Sequence, residues 1–189
     1  MKTKLIALSV LCAAMVPAFA SAATVTTPGG EVHFVGEVVN GTCAVDADSV
    51  NQTVQMGQVR ANTLAKQGDV GQNVGFNIVL KDCAPGADGN GNTLPATAAI
   101  IFSGVTVDNT TNAKVLALQQ SSAGGATNVG IQVLDRSGQP VAFDGSTASA
   151  SIKLNEGTNT IPFQARYMAT GQATAGTANA DATFTVQYQ

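Results

Sequence analysis

The sequence has no tryptophan, a single histidine and two tyrosines; only 5% of its 189 residues are aromatic and 11% charged. Each scarcity excludes something. One imidazole, His33, leaves neutral-pH acid–base catalysis hard to staff. It also rules out a copper–zinc type sandwich enzyme, which needs several metal-binding histidines. Nine cations against 12 acids, a formal charge of −3, exclude a strongly basic nucleic-acid binder. Low charge combined with 44% hydrophobic residues excludes disorder, which needs the opposite balance. The length suits one domain with one core, because nothing in the chain reads as a linker or a repeat.

What is present begins at the amino end. Lys2 and Lys4 precede an apolar run from Leu5 to Phe19, followed by Ala20-Ser21-Ala22. That order predicts a secretory signal peptide over residues 1–22, cut between Ala22 and Ala23. The run is too short to span a bilayer. Removing it leaves 167 residues and a formal charge of −5, and takes away Cys12, one of the three cysteines. Cys43 and Cys83 remain, an even pair in an exported chain, which predicts a disulfide. Two buried free thiols are the alternative. A metal site lacks a second cysteine pair or a histidine cluster, and no cofactor is expected.

The mature chain reads as all-β. Val74, Phe76, Ile78 and Leu80 alternate with Gly75, Asn77, Val79 and Lys81, the period of a strand leading into Cys83. Similar runs occur at Thr53–Val59, Ala98–Val107, Val115–Leu118, Val129–Leu134, Ser149–Leu154, Thr160–Met168 and Thr183–Tyr188. Turn chemistry separates them, as at Pro85-Gly86, Asp88-Gly89, Asn90-Gly91, Ser137-Gly138, Asp144-Gly145 and Glu156-Gly157. Val59–Gly68 offers at most one helical turn. Short strands at this spacing indicate a sandwich or barrel.

Motif-like strings fail on their chemistry. Asp88-Gly89-Asn90-Gly91-Asn92 opens like a calcium loop, but Thr93 replaces the sixth-position glycine and Ala99 the bidentate glutamate. The sequons at Asn40, Asn51 and Asn109 are chance strings in a chain rich in Asn and Thr. His33 falls opposite Val32 and Phe34, on a solvent face. No nucleophile elbow, phosphate-cradling loop or convergent carboxylate pair occurs, so an enzyme is not expected.

The two ends carry more information. After a small, polar stretch, Val32, Phe34, Gly36 and Val38 share one face of a potential strand, with Glu31, His33 and Glu37 opposite. Such a strand opens its own sandwich or leaves its domain to complete a sheet elsewhere. At the other end Phe184, Val186 and Tyr188 alternate with Thr185 and Gln187. In an immunoglobulin-like fold one more strand would follow to cover that edge, and no sequence remains for it.

At this point the sequence resembles a family. Cys43 and Cys83, the penultimate Tyr188, and Gly176, fourteenth from the carboxyl end, match chaperone–usher pathway pilins. The likeness is strongest to the major shaft subunits of type 1 fimbriae. It extends through Val32-His33-Phe34, Gly36–Asn40, Gly75–Ile78, Asn159–Tyr167 and Asn179–Phe184, and so over essentially the whole mature chain. The Ala84–Pro95 segment reads as an insertion relative to that pattern.

The resemblance implies an incomplete immunoglobulin-like sandwich lacking its final strand, over residues 40–189, preceded by a donor-strand extension over residues 23–39. It implies that a periplasmic chaperone lends the missing strand, and that at an outer-membrane usher the extension of the next subunit replaces it. Partners are then the chaperone, the usher, adaptor and tip pilins, and further copies of the chain. Val32, Phe34, Gly36 and Val38 would form the donor face, and Gly176, Phe184, Val186 and Tyr188 the acceptor edge. Burying Val32, Phe34 and Val38 contributes at most about 5–9 kcal/mol before ordering costs. Head-to-tail pairing that never closes yields a helical surface filament. A minor or adaptor pilin uses the same two ends and is the alternative role. A two-domain tip adhesin does not fit in 167 residues.

Overall fold

The computed structural model describes residues 27, 29–39, 41–87, 90, 93–107, 114–119 and 124–189. The expected signal peptide over residues 1–22, with its expected cut between Ala22 and Ala23, and most of the expected turns between residues 88 and 92, lie outside them. The chain divides into two units, residues 1–37 and 38–189.

In the first unit, described residues 27 and 29–37 form no helix or strand. Val32 and Phe34 are exposed, Phe34 by 93%. The expected strand over Glu31–Val38 is therefore not laid into any sheet, because no ladder partner runs beside it among the described residues.

The second unit is a sandwich of antiparallel strands, with one five-stranded and one four-stranded main sheet. The first sheet runs in the order β1 (Ala44–Val45), β2 (Val74–Cys83), β10 (Gly157–Ala169), β7 (Val129–Leu134) and β6 (Leu116–Ala117). The second runs β11 (Thr183–Tyr188), β5 (Thr97–Ser103) and β8 (Asp144–Ala148), with β9 (Ile152–Lys153) also on β5. A small hairpin joins β3 (Gly86–Ala87) to β4 (Thr93–Leu94). A 3-10 turn at Ala61–Leu64 lies within the stretch expected to be helical.

The alternation of β2, β5 and β10 builds the core. Ile78 and Leu80, Ile100 and Phe102, and Ile161 and Phe163 are all buried. Phe102 meets Phe163 edge-on at 5.2 Å and Phe143 at 6.0 Å, and Phe163 stacks on Phe76 at 5.6 Å. Such pairs add about 0.5–1.5 kcal/mol each beyond the area they bury. Cys43 and Cys83 form the disulfide, both sulfurs within the core.

Several strands differ from the sequence expectation, each for a physical reason. Thr53–Val59 alternates only through Val54 and Met56; Gly57 takes φ +66° and shifts the phase, so that Val59 is the next residue half-buried against the core, and the segment belongs to no ladder among the described residues. Its side chains found the core while its backbone found no neighbouring strand among the described residues. The strand expected to run on to Val107 stops at Ser103. A Cβ on Gly104 would lie 2.5 Å from Leu116 Cδ2, and beyond it the chain turns to pair with β6, Val107 N donating to Val115 O and Ala117 N to Val105 O. Asp144-Gly145 reads as a turn, yet both residues lie in β8. The Asp144 carboxylate accepts the Ser146 and Thr147 amides, Gly145 takes φ +70°, and the pairing with β5 shifts register there.

Candidate functional site

β11 pairs residue for residue with β5: Phe184 opposite Phe102, Val186 opposite Ile100, Tyr188 opposite Ala98. The β5 members are closed off, at 5%, 0% and 1% exposure, whereas Phe184, Val186 and Tyr188 are only half-buried. Both rows rest on the same core, and Phe184 lies 6.3 Å from Phe102. The difference is lateral. β5 has strands on both sides, but among the described residues nothing pairs with the outer edge of β11. An antiparallel strand turns every second residue's N–H and C=O outward, so this edge offers unsatisfied backbone groups beside a strip of half-covered apolar side chains.

The edge is held in place at its far end. Tyr188 Oη donates to the Cys43 carbonyl at 3.1 Å, tying β11 to the chain beside the disulfide. Burial pushes the Tyr188 phenol above its ordinary value, so it stays a neutral donor at physiological pH. Gln189 continues the alignment, its N–H donating to Thr97 O and its carbonyl accepting the Thr97 amide.

Gly176 lies seven positions before β11, in the segment that returns from β10. A Cβ there would sit 2.3 Å from Ala126 N, so its glycine serves close backbone packing against residues 124–126, beside the parallel Gly125–Thr177 bridge. The structure thus places Gly176 away from the β11 ladder itself. Thr53–Val59 is a second extended strip with half-buried apolar side chains, and unlike β11 it has no ladder among the described residues. Sequence reasoning read it as an ordinary strand; its alternation without a partner is the signal that was present.

Of the residues expected on the donor face, Val32, Phe34 and Val38 are exposed. A Cβ on Gly36 would meet nothing within 4 Å, so nothing in the chain itself demands glycine there. Among the described residues no group of three His, Cys, Asp or Glu side chains is placed to hold a metal, and no helix is long and apolar enough to cross a membrane.

An all-β immunoglobulin-like sandwich with one apolar strand edge left open is the fold of chaperone–usher pilins. Two solved structures share it. The P pilus rod subunit PapA aligns with TM-score 0.64 at 25% identity, over 79% of this chain and all of that one. A subunit of a chaperone–usher pilus, described in connection with rod uncoiling, aligns with TM-score 0.69 at 26% identity, over 89% of this chain and all of that one. The sequence profile described as "Fimbrial protein" matches residues 32–189, and the chain belongs to that family. It is 56% identical over 193 residues to the type-1 fimbrial protein A chain of Escherichia coli, and 55% identical over 190 residues to the type 1 fimbrial subunit of Klebsiella pneumoniae, each alignment covering 100% of both chains. The chain is a fimbrial subunit of the chaperone–usher type and not an enzyme.

Proposed function

We propose that the chain is the shaft-forming subunit of a surface fimbria and polymerises head-to-tail by donor-strand exchange. Its residues 23–39, freed by removal of residues 1–22, enter the sandwich formed by residues 40–189 of the preceding copy. Val32, Phe34 and Val38 cover the half-open strip of Phe184, Val186 and Tyr188, and Gly36 falls where the groove admits no side chain. A periplasmic chaperone occupies the strip until delivery to an outer-membrane usher, and the finished fibre is extracellular. The observation that carries this reading is the one-sided burial of β11: its apolar residues lie opposite fully buried partners yet remain half-covered themselves. The unladdered, exposed segment at residues 29–39 supports it from the other side. Likeness to a rod subunit favours the shaft role over an adaptor role.

The test is Phe34→Asp, which puts a charge into an apolar groove. Purified chaperone-bound subunits carrying it should fail to extend one another, while the subunit itself folds with an unchanged urea midpoint. Unchanged polymer yield would refute donor-strand use. Deleting residues 23–35 should likewise abolish fibres without unfolding the domain.

A further inference from the structure

The second sheet has two outer strands. β11 lies on one side of β5 and β8 on the other, and among the described residues no strand pairs with the far edge of either. β11 offers the half-buried row of Phe184, Val186 and Tyr188. All five residues of β8, Asp144-Gly145-Ser146-Thr147-Ala148, are exposed, so a strand added there would cover no apolar row. It would gain backbone hydrogen bonds alone.

Those bonds are obstructed too. Ser149 N donates to Ile100 O and Gly104 N to Phe143 O, so Ala148 opposite Ile101 and Asp144 opposite Ser103 stand in non-hydrogen-bonded pairs. Both turn their own N–H and C=O to the open side. Between them β8 takes four residue steps, 148 to 144, where β5 takes two, 101 to 103, and Gly145 bends the strand at φ +70°. A straight incoming strand presents its matching groups every second residue, so it cannot meet both in one register. Inside the bulge the Asp144 carboxylate accepts the Thr147 hydroxyl at 2.6 Å, the Thr147 amide at 2.7 Å and the Ser146 amide at 2.8 Å. Hydrogen bonds to an ionised group are about twice as strong as neutral ones. These three, the Thr147 hydroxyl foremost, hold the carboxyl well below its ordinary value. Past β8 the Ala150 amide goes to Asp135 Oδ2, and the Ser151 carbonyl accepts from Arg136 Nη1.

We propose that Asp144 closes this second edge against strand addition. Its carboxylate fixes the bulge and occupies the Ser146 and Thr147 amides, so the subunit accepts a strand only at β11 and each copy takes one successor. Asp144 is thus a specificity-determining residue that never touches the donor strand. The inference rests on the polymer reading above. Neighbouring copies bring their extensions to any free edge at high effective concentration. An open β8 would therefore branch the fibre or hold extensions where they cannot complete a sandwich. Asp135 and Arg136 continue the closure beyond β8.

The experiment compares fibres of the wild type, Asp144→Asn and Asp144→Ala. Asparagine keeps an acceptor oxygen for the two amides, and alanine keeps none. Head-to-tail growth is followed separately as oligomer mass, and folding as the urea midpoint. Finished fibres, whose β11 edges are filled, are then offered a synthetic peptide of residues 23–39 carrying a photo-crosslinker, and the crosslinks are mapped by mass spectrometry. Asp144→Ala fibres should capture about tenfold more peptide than the wild type, joined to residues 144–148, because two backbone donors are freed. Asp144→Asn should stay near the wild type. If the alanine variant does not fold, Asp144→Ser, with one shorter acceptor, opens the edge more mildly and should capture about threefold more. Capture equal to the wild type in the folded variant would overturn the proposal. So would extra capture mapped only to residues 183–188. Failure of the wild type itself to grow head-to-tail would instead overturn the polymer reading, and this inference with it.

Discussion

β10 and β11 use the same pattern of alternating apolar residues, and the sandwich treats them differently. β10 has β2 on one side and β7 on the other, and its inward residues Ile161, Phe163, Ala165, Tyr167 and Ala169 are all buried. β11 has only β5, and Phe184, Val186 and Tyr188 stay half-covered over the same core. Alternation decides which face a side chain takes; the packing over and beside it decides whether it is shut off from water. Ile161 and Phe163 are shut off where, among the described residues, only β2 pairs with β10. β11 is thus a finished strand in an unfinished sheet.

The sharpest way to break this comparison is to truncate one aromatic on each strand. Phe163→Ala removes a ring that packs on Phe76 and Phe102 and should cost about 3–5 kcal/mol of subunit stability, read from urea unfolding. Phe184→Ala should cost only about 1–2 kcal/mol in the same measurement, because part of its surface is already wet, while strongly reducing capture of a partner strand. Equal costs would show that β11 is as closed as β10. Replacing Cys43 and Cys83 by alanine should cost about 4 kcal/mol, since the bond spans a sequence separation of 40 residues, and the loss should be visible as a lower urea midpoint. Tyr188→Phe keeps the ring and removes only the hydrogen bond to Cys43 O, for about 1 kcal/mol. A larger loss would mean that the hydroxyl, not the β5 ladder, holds the edge.

The smallest effect is a pH slope, and it belongs to the closed side. Burial pushes the Asp135 carboxyl up, but hydrogen bonds from the Ser137 hydroxyl and from the Gln139, Ala150 and Ser137 amides outweigh it and hold the group below its ordinary value. Asp46 is lowered too, by the Lys81 ammonium and the Asp48 amide. A carboxylate whose pKa is depressed on folding stabilises above its unfolded value, near about 3.9, and loses that contribution as pH falls through the folded value. Stability should therefore decline on acidification below about pH 4. Asp135→Asn should make that decline shallower; an identical slope in urea midpoints from pH 2 to 6 would contradict the assignment.

Much of this was legible in the chain. The alternation through Phe76, Ile78 and Leu80, through Phe163, and through Phe184 and Val186 reports which way each side chain points, a local property. What was not legible depends on partners distant in sequence. β7 is buried on both faces because Val107 and Val115 crowd Gly130, while Arg166 donates through Nε and Nη2 to Gln132. No window around Gln132 contains that information. β8 was hidden by Asp144-Gly145, whose turn chemistry operates inside a bulged strand. The site was readable as a list of apolar residues on β11, but its openness is a fact about what is not beside it. Thr53–Val59 was misread for the same reason.

The disulfide has a mechanical consequence. Tension entering through residues 38–42 reaches Cys43 first and passes through the covalent bond directly to Cys83, at the end of β2. Residues 44–82, with the unladdered strip at 53–59 and the 3-10 turn, are thereby kept from adding their length to any extension. A subunit stretched along a fibre would lengthen only through the chain before Cys43 and after Cys83.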